Sequence, residues 1–241
     1  MSKLDVKYLK IFMNHYQEEG EYGRTHAYDL FHNKFKGALQ IEKPAPEIYD
    51  DLACHLYAFL GNWGMLRGRG FLLQLNYKSL IPTIKIVSEQ KYRRLLDIDI
   101  TKLSVEEEEK YCNDILELKN RISNTFNEIP YYKFDLKKKE YVRKKINVSD
   151  TFVGEVLMGT LGCYISCDEY TKESSKEYSI PKTFNKEQIA GLVKLIKSNV
   201  ETFTHYADLK KSINTGCDYS VMKLLDITLW QEGIIKYARP N

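Results

Sequence analysis

Glycine and proline are scarce in this chain, which has 13 and 6 of them among 241 residues. An all-β protein needs many tight turns, and these two residues supply most of them. Their scarcity therefore disfavours sandwiches and barrels and favours helices. Hydrophobic residues make up 43% of the chain, too many for a disordered protein and enough for a core. We predict one all-α domain over residues 1–241, with eight to ten helices.

Long apolar runs are also missing. No stretch approaches the ~18 apolar residues that a membrane-spanning helix requires, so no membrane partner is expected. Lys, Asn, His and Gln interrupt the first 23 residues, which therefore lack the apolar centre of a signal peptide. The five cysteines are an odd number without a secretory signal, which favours reduced thiols and a cytoplasmic location.

Several familiar catalytic and cofactor motifs do not occur. The chain has no phosphate-binding loop, no dinucleotide fingerprint, no nucleophile elbow and no H-E-x-x-H sequence. Cys163 and Cys167 have a C-x3-C spacing, but no second pair follows at a spacing typical of zinc sites. We therefore predict no metal and no cofactor, with these thiols as small buried hydrophobic groups.

The apolar spacing and capping residues predict helices along most of the chain. Ser104, followed by four glutamates, is typical of a helix start, and the helix should run to about Phe126 with those glutamates in solvent. Ser149 or Asp150 should cap another helix, through Leu161. Residues 46–63 form the most apolar predicted helix, which we expect to be buried nearly all round.

Positive charge is concentrated in one stretch. Residues 131–146 contain seven Lys or Arg and two acids, a net charge of +5, whereas the whole chain carries only +3. Aromatic rings alternate with these cations, as in surfaces that bind phosphates and stack on bases, so DNA or RNA is a candidate partner. The alternative is a solvated loop or strand edge that lysines keep soluble. The stretch could be a small β element within a basic insertion around 128–147. The cations predicted to contact nucleic acid are Lys137, Lys138, Lys139, Arg143, Lys144 and Lys145.

A cluster of polar residues predicts a ligand cleft. Arg67 and Arg69 lie between glycines at the end of an apolar helix, where they could bind phosphate or carboxylate, or form internal salt bridges. Asp226 lies on another apolar helix and must find a partner, for which Arg67 is a candidate. The predicted lining of the cleft is Trp63, Arg67, Arg69, Asp168 and Asp226.

The role of Asp168 is the least decided among these residues. It follows the apolar segment Val156–Ile165 and precedes a short predicted helix. It is therefore either a helix cap or the catalytic acid of a site.

Four blocks of the sequence carry a resemblance to known proteins: HAYDLFHNKF, DDLACHLYAFLGNWGMLRGRGFLLQ, DTFVGEVLMGTLGC and YSVMKLLDITLWQ. The resemblance extends over most of the chain outside about residues 95–147, and the second and fourth blocks are its most specific parts. The WGMLRG and LLD-x3-W motifs within them resemble a group of uncharacterised bacterial proteins of similar size. The order of helix, glycine-containing end, short segment and Asp at the next helix start also looks like the helix-hairpin-helix DNA glycosylases.

The glycosylase resemblance implies a helical scaffold and a function. In those enzymes the Asp at such a helix start assists base excision, so the resemblance implies that role for Asp168. We therefore expect a nucleic acid or a nucleotide-like ligand, with an aromatic pocket for an extruded base. The alternative is a non-enzymatic protein-interaction module with a regulatory, stress-response or phage-response role. The sequence alone leaves open whether the chain is an enzyme.

Overall fold

The computed structural model describes residues 3–42, 44–68, 70–205 and 216–238. It is mostly helical with one small hairpin, which confirms the predicted fold class. The α-helices within the described residues are α1 Lys7–Glu19, α2 Ala27–Ala38, α3 Pro46–Asn62, α4 Ile81–Val87, α5 Val105–Thr125, α6 Asp150–Leu161, α7 Glu169–Glu177, α8 Lys186–Lys197, α9 Val200–His205 and α10 Val221–Tyr237. None of the helices in this part of the chain is long and apolar enough to cross a membrane.

Several helices begin where the capping residues predict. Ser104 and Glu107 form a reciprocal capping box at the start of α5, with the Ser104 N–H 2.8 Å from a Glu107 carboxylate oxygen. Ser149, Asn185 and Ser220 each accept a backbone N–H in the first turn of α6, α8 and α10. Side-chain oxygens at these positions satisfy N–H groups that have no partner within the helix.

The central helices are α6 and α10, not α3. Every residue from Phe152 to Leu161 is buried, as is every residue from Val221 to Leu229. The expectation that α3 is buried nearly all round is therefore wrong. Only one face of α3 enters the core, and the His55 side chain on its other face is 44% exposed and lies beside Asp51. A count of apolar residues did not separate a one-sided helix from a central one.

The segment after α3 differs from its predicted form. The sequence of residues 71–98 predicts two helices with a break before Pro82, but residues 71–74 and 77–80 form short 3-10 turns in place of the first. Pro82 lies in the first turn of α4, in agreement with the predicted break before it. Proline suits this place because the first-turn N–H groups have no partner within the helix.

The basic stretch contains the one two-stranded sheet of the described residues. Strand β1 (Tyr132–Asp135) pairs antiparallel with β2 (Glu140–Arg143), and Phe134 lies opposite Tyr141 with their ring centres 5.3 Å apart. The β alternative for residues 131–146 is thus confirmed. We call residues 131–146 the basic hairpin. It connects α5 with α6 and so places its base beside the start of α6.

Candidate functional site

An acidic cavity lies between α3, α6, α10 and the segment that leads into α7. Its volume is about 20 Å³, so this narrow, partly open cavity has room for about one or two waters. Its lining consists of Phe12, Phe59, Trp63, Glu155, Ser166, Asp168, Lys223, Asp226, Ile227 and Trp230.

The chain folds back over α6 to complete this cavity. Gly162 ends α6 with φ of 60°, a left-handed conformation that glycine adopts without strain. The segment that follows crosses α6 at Gly154, where an added Cβ would lie 2.6 Å from the carbonyl oxygens of Ile165 and Ser166. This close approach brings Asp168 to the turn of α6 that carries Glu155.

Asp226 has a buried cation as its partner. One carboxylate oxygen accepts the Ser166 N–H at 2.8 Å, and the other lies 3.3 Å from the Lys223 ammonium. The Lys223 nitrogen also lies 4.4 Å from the centre of the Tyr28 ring. The salt bridge proposed for Asp226 is therefore made by Lys223 and not by Arg67.

Glu155 is the least compensated group in the cavity. Its side chain is buried, with 4% of the residue exposed, and within the described part of the chain it makes no hydrogen bond or ion pair. Burial raises the pKa of Glu155 well above its ordinary value, and the charges of Asp226 and Asp168 raise it further. Glu155 therefore favours its protonated form.

Asp168 both caps a helix and lines the cavity. It caps α7 by accepting the Thr171 N–H at 2.7 Å, and its partly exposed side chain also lines the cavity. Burial raises the pKa of Asp168, hydrogen bonds from Thr171 lower it, and the charge of Asp226 raises it. The cap and the site acid are therefore compatible roles for one residue.

Two tryptophans form the aromatic wall of the cavity. The rings of Trp63 and Trp230 are perpendicular, with their centres 6.0 Å apart. The indole N–H of Trp63 is buried and finds no acceptor among the described residues. An unpartnered donor and the unpartnered Glu155 carboxyl in one cavity indicate a polar occupant, since buried polar groups are nearly always satisfied.

The cavity contains only part of the predicted ligand set. Trp63, Asp168 and Asp226 come together, whereas Arg67 is exposed and does not line the cavity, and Arg69 lies outside the described residues. Sequence reasoning missed Glu155 and Lys223. Both are charged residues inside very apolar helices, the same signal that identified Asp226.

The predicted nucleic-acid cations all lie on the surface. Lys137, Lys138 and Lys139 are at the turn of the basic hairpin, and residues 143–145 are at the end of β2 and just beyond it. None of these six side chains forms an ion pair with any part of the chain that the structure describes. Their charge is therefore open to a partner. The large hydrophobic side chains exposed on the same hairpin are Tyr132, Phe134, Leu136 and Tyr141.

The cysteines lie apart from this chemistry. Cys163 and Cys167 are buried, and burial raises the pKa of the Cys167 thiol to about 12, so neither is a reactive thiolate. Across the described ranges, no group of three His, Cys, Asp or Glu side chains is arranged to hold a metal ion.

No protein-family model, curated protein or solved structure matches this chain. The chemistry of the cavity is therefore inferred from its geometry.

Proposed function

We propose that this protein binds nucleic acid and hydrolyses the glycosidic bond of one nucleotide in the acidic cavity, on a scaffold similar to that of the helix-hairpin-helix glycosylases. One observation carries the proposal. Three carboxyl groups and a single ammonium share a narrow cavity with two tryptophans, and the Glu155 carboxyl there has no partner within the described residues.

The excess of acid suits this reaction. When a glycosidic bond breaks, positive charge develops on the sugar, and a nearby carboxylate stabilises it. Lys223 compensates one of the three carboxyl groups, Asp226. Asp168 is the carboxylate left to face a cationic sugar, and its position at the rim leaves it accessible to a substrate.

Glu155 is placed to act as the general acid, and Asp168 as the general base. Protonated Glu155 gives its proton to the leaving base, which keeps the electron pair of the bond to the sugar. Water adds to the sugar carbon and loses a proton to Asp168, whose raised pKa makes it a better acceptor. The proton then returns to Glu155 through water in the cavity, so the reaction consumes one water and needs no other reactant.

The tryptophans provide the aromatic surface that an extruded base requires. The cavity as it stands has room only for water-sized molecules, so a base must displace one wall. Trp230 is partly exposed, so under this proposal it is the wall that turns aside. The exposed cations of the basic hairpin would hold phosphates of the same strand. A reducing compartment such as the cytoplasm suits the five free cysteines.

Oligonucleotides containing uracil, hypoxanthine or 7-methylguanine, single-stranded and duplex, test the proposal. After incubation with the protein, hot alkali cleaves any strand that has lost a base. We expect cleavage of at least one substrate, and its loss in the Asp168→Asn variant. Binding without cleavage of any substrate would overturn the hydrolytic part, and absence of binding at about 50 mM salt would overturn the nucleic-acid part.

A protein-interaction module is the second candidate. It is favoured by the exposed apolar side chains of the hairpin, among which Leu136 is 83% and Tyr141 72% exposed. Such residues commonly mark contact surfaces. A folded protein that binds no oligonucleotide, and that gains a partner only through Leu136 and Tyr141, would support this candidate.

A further inference from the structure

A groove at the base of the basic hairpin faces the segment after α3 and the start of α6. We propose that this basal groove binds the phosphates of a single nucleic-acid strand and places the next nucleotide at the acidic cavity. This inference rests on the proposed function. The groove is open to solvent, and the lining residues used below are Phe71, Tyr131, Lys133, Lys145, Ser149 and Phe152.

Two lysines supply the positive charge of the groove. Lys133 belongs to β1, and Lys145 follows β2, so they come from both arms of the hairpin. Neither forms an ion pair with the residues that the structure describes. Lys145 was among the predicted nucleic-acid cations, whereas Lys133 was not. Two free cations in one groove favour an anionic occupant.

The start of α6 adds a second attraction for anions. Ser149 caps this 12-residue helix at the groove, and a helix N-terminus presents N–H groups and a partial positive charge. Asp150, the acidic residue in the first turn of α6, does not prevent anion binding there. Asp150 is occupied by Lys119 at 2.8 Å and by the Phe184 N–H at 3.1 Å.

Tyr131 is the independent sign of a ligand. It lines the groove, it is only 4% exposed, and its hydroxyl has no hydrogen-bond partner in the described ranges. Buried hydroxyls nearly always have a partner. The Lys133 ammonium lies 5.4 Å from the Tyr131 ring centre, and a small shift of the Tyr131 side chain toward the groove would let its hydroxyl donate to a phosphate held by Lys133.

The aromatic side chains of the groove favour a single strand over a duplex. Phe71 is partly exposed in the groove, where it packs edge-to-face on the buried Phe152 with ring centres 5.3 Å apart, and it offers a ring to an unpaired base. In a duplex the bases are stacked on one another and cannot use such rings, whereas single-strand sites combine rings with cations. An acidic peptide would use the lysines but not this stacking.

The groove and the acidic cavity are neighbours. Phe152 of the groove and Glu155 of the cavity are three residues apart on α6, a spacing that makes them adjacent on a helix surface. Trp63 of the cavity and Met65 of the groove are two residues apart in the segment after α3. A strand held in the groove would therefore continue beside the turn of α6 that carries Glu155.

The test is fluorescence anisotropy of a fluorescein-labelled oligothymidylate at about 50 mM and about 200 mM salt. The Lys133→Ala/Lys145→Ala double variant is compared with Lys78→Ala/Lys110→Ala, which removes the same charge elsewhere. We expect the groove variant to bind roughly tenfold or more weakly, and its slope of log affinity against log salt to shrink by about 1.4, since each phosphate contact contributes about 0.7. The control should keep the slope of the unaltered protein.

Further variants distinguish a failure of the groove inference from a failure of the proposed hydrolysis. Tyr131→Phe should weaken binding without changing the salt slope, because it removes only a hydroxyl. If the groove variant matches its control while Lys137→Ala/Lys138→Ala/Lys139→Ala abolishes binding, the groove inference is overturned and nucleic-acid binding stands. If the groove variant loses binding but no substrate ever loses a base, the groove stands and the hydrolysis fails. Equal competition by oligoglutamate or duplex would overturn the single-strand assignment.

Discussion

At the scale of single residues, Glu155 is a carboxyl group that the fold keeps at a cost to stability. A buried acid with a raised pKa binds its proton more tightly in the folded chain than in the unfolded one. The contribution of this proton to the free energy of unfolding is fully present below the unfolded pKa of about 4.3. It is lost as the pH rises through the pKa of Glu155 in the folded chain. Stability should therefore decline from mildly acidic to neutral pH.

Glu155→Gln should remove most of this decline. We expect the variant to be more stable than the unaltered protein at neutral pH, by about 1–3 kcal/mol in the free energy of unfolding, because a neutral amide has no charge to bury. Thermal unfolding followed by circular dichroism between about pH 4.3 and pH 8 measures it. Glu169→Gln, an exposed acid in α7, is the control. Parallel pH curves for Glu155→Gln and the unaltered protein would contradict a protonated Glu155.

Asp168 allows its two roles to be separated by the choice of substitution. Asn caps helices about as well as Asp, so Asp168→Asn should change the free energy of unfolding by less than about 1 kcal/mol. It cannot accept a proton, so base release should fall by at least about a hundredfold. Asp168→Ala should lose the cap as well, which destabilises by about 1 kcal/mol. Equal base release by Asp168→Asn and the unaltered protein would leave Asp168 a cap alone.

At the scale of helices, the acidic cavity depends on how closely the segment after α6 approaches that helix. Gly154→Ala should destabilise the protein by about 1–3 kcal/mol, because the new Cβ would meet two carbonyl oxygens at 2.6 Å. Gly37→Ala in α2 is the matched control, since nothing lies within 4 Å of its added Cβ. There the change should stabilise by up to about 1 kcal/mol. Chemical denaturation measures both, and stabilisation by both would contradict the close crossing.

The elements themselves were largely predictable because their signals are local. Ser104 and Ser149 mark helix starts by accepting hydrogen bonds from the backbone N–H groups three positions along the chain. Burial depends on distant parts of the chain, so the exposure of His55 could not be inferred from the apolar residues around it. The partner of Asp226 was misassigned to Arg67 for a related reason. Arg67 is distant from Asp226 in sequence, so its position could not be inferred from local spacing. The ion pair of Asp226 is instead made by Lys223, three residues away on the same helix.

At the scale of the whole molecule, charge is separated although the net charge is small. The basic hairpin carries a net charge of +5, whereas the whole chain carries +3, so the rest of the chain is negative by about 2 charges. The acidic cavity holds an excess of carboxyl groups. Helix α6 joins the two, with Ser149 at the groove and Glu155 in the cavity. Under the proposed function, this arrangement would attract phosphates to one end of the helix and leave carboxyl groups at the next turn for a cationic sugar.

The chain has only two tryptophans, and both line the acidic cavity. Tryptophan emission from the whole molecule therefore reports on this one site. We expect a single-stranded oligonucleotide to quench the emission when a base stacks on these rings, and Lys133→Ala/Lys145→Ala to shift the quenching to higher oligonucleotide concentration without changing its final extent. Trp230→Phe assigns the signal, because only Trp63 then remains. Binding detected by anisotropy with unchanged emission would mean that the strand occupies the hairpin and that no base enters the cavity.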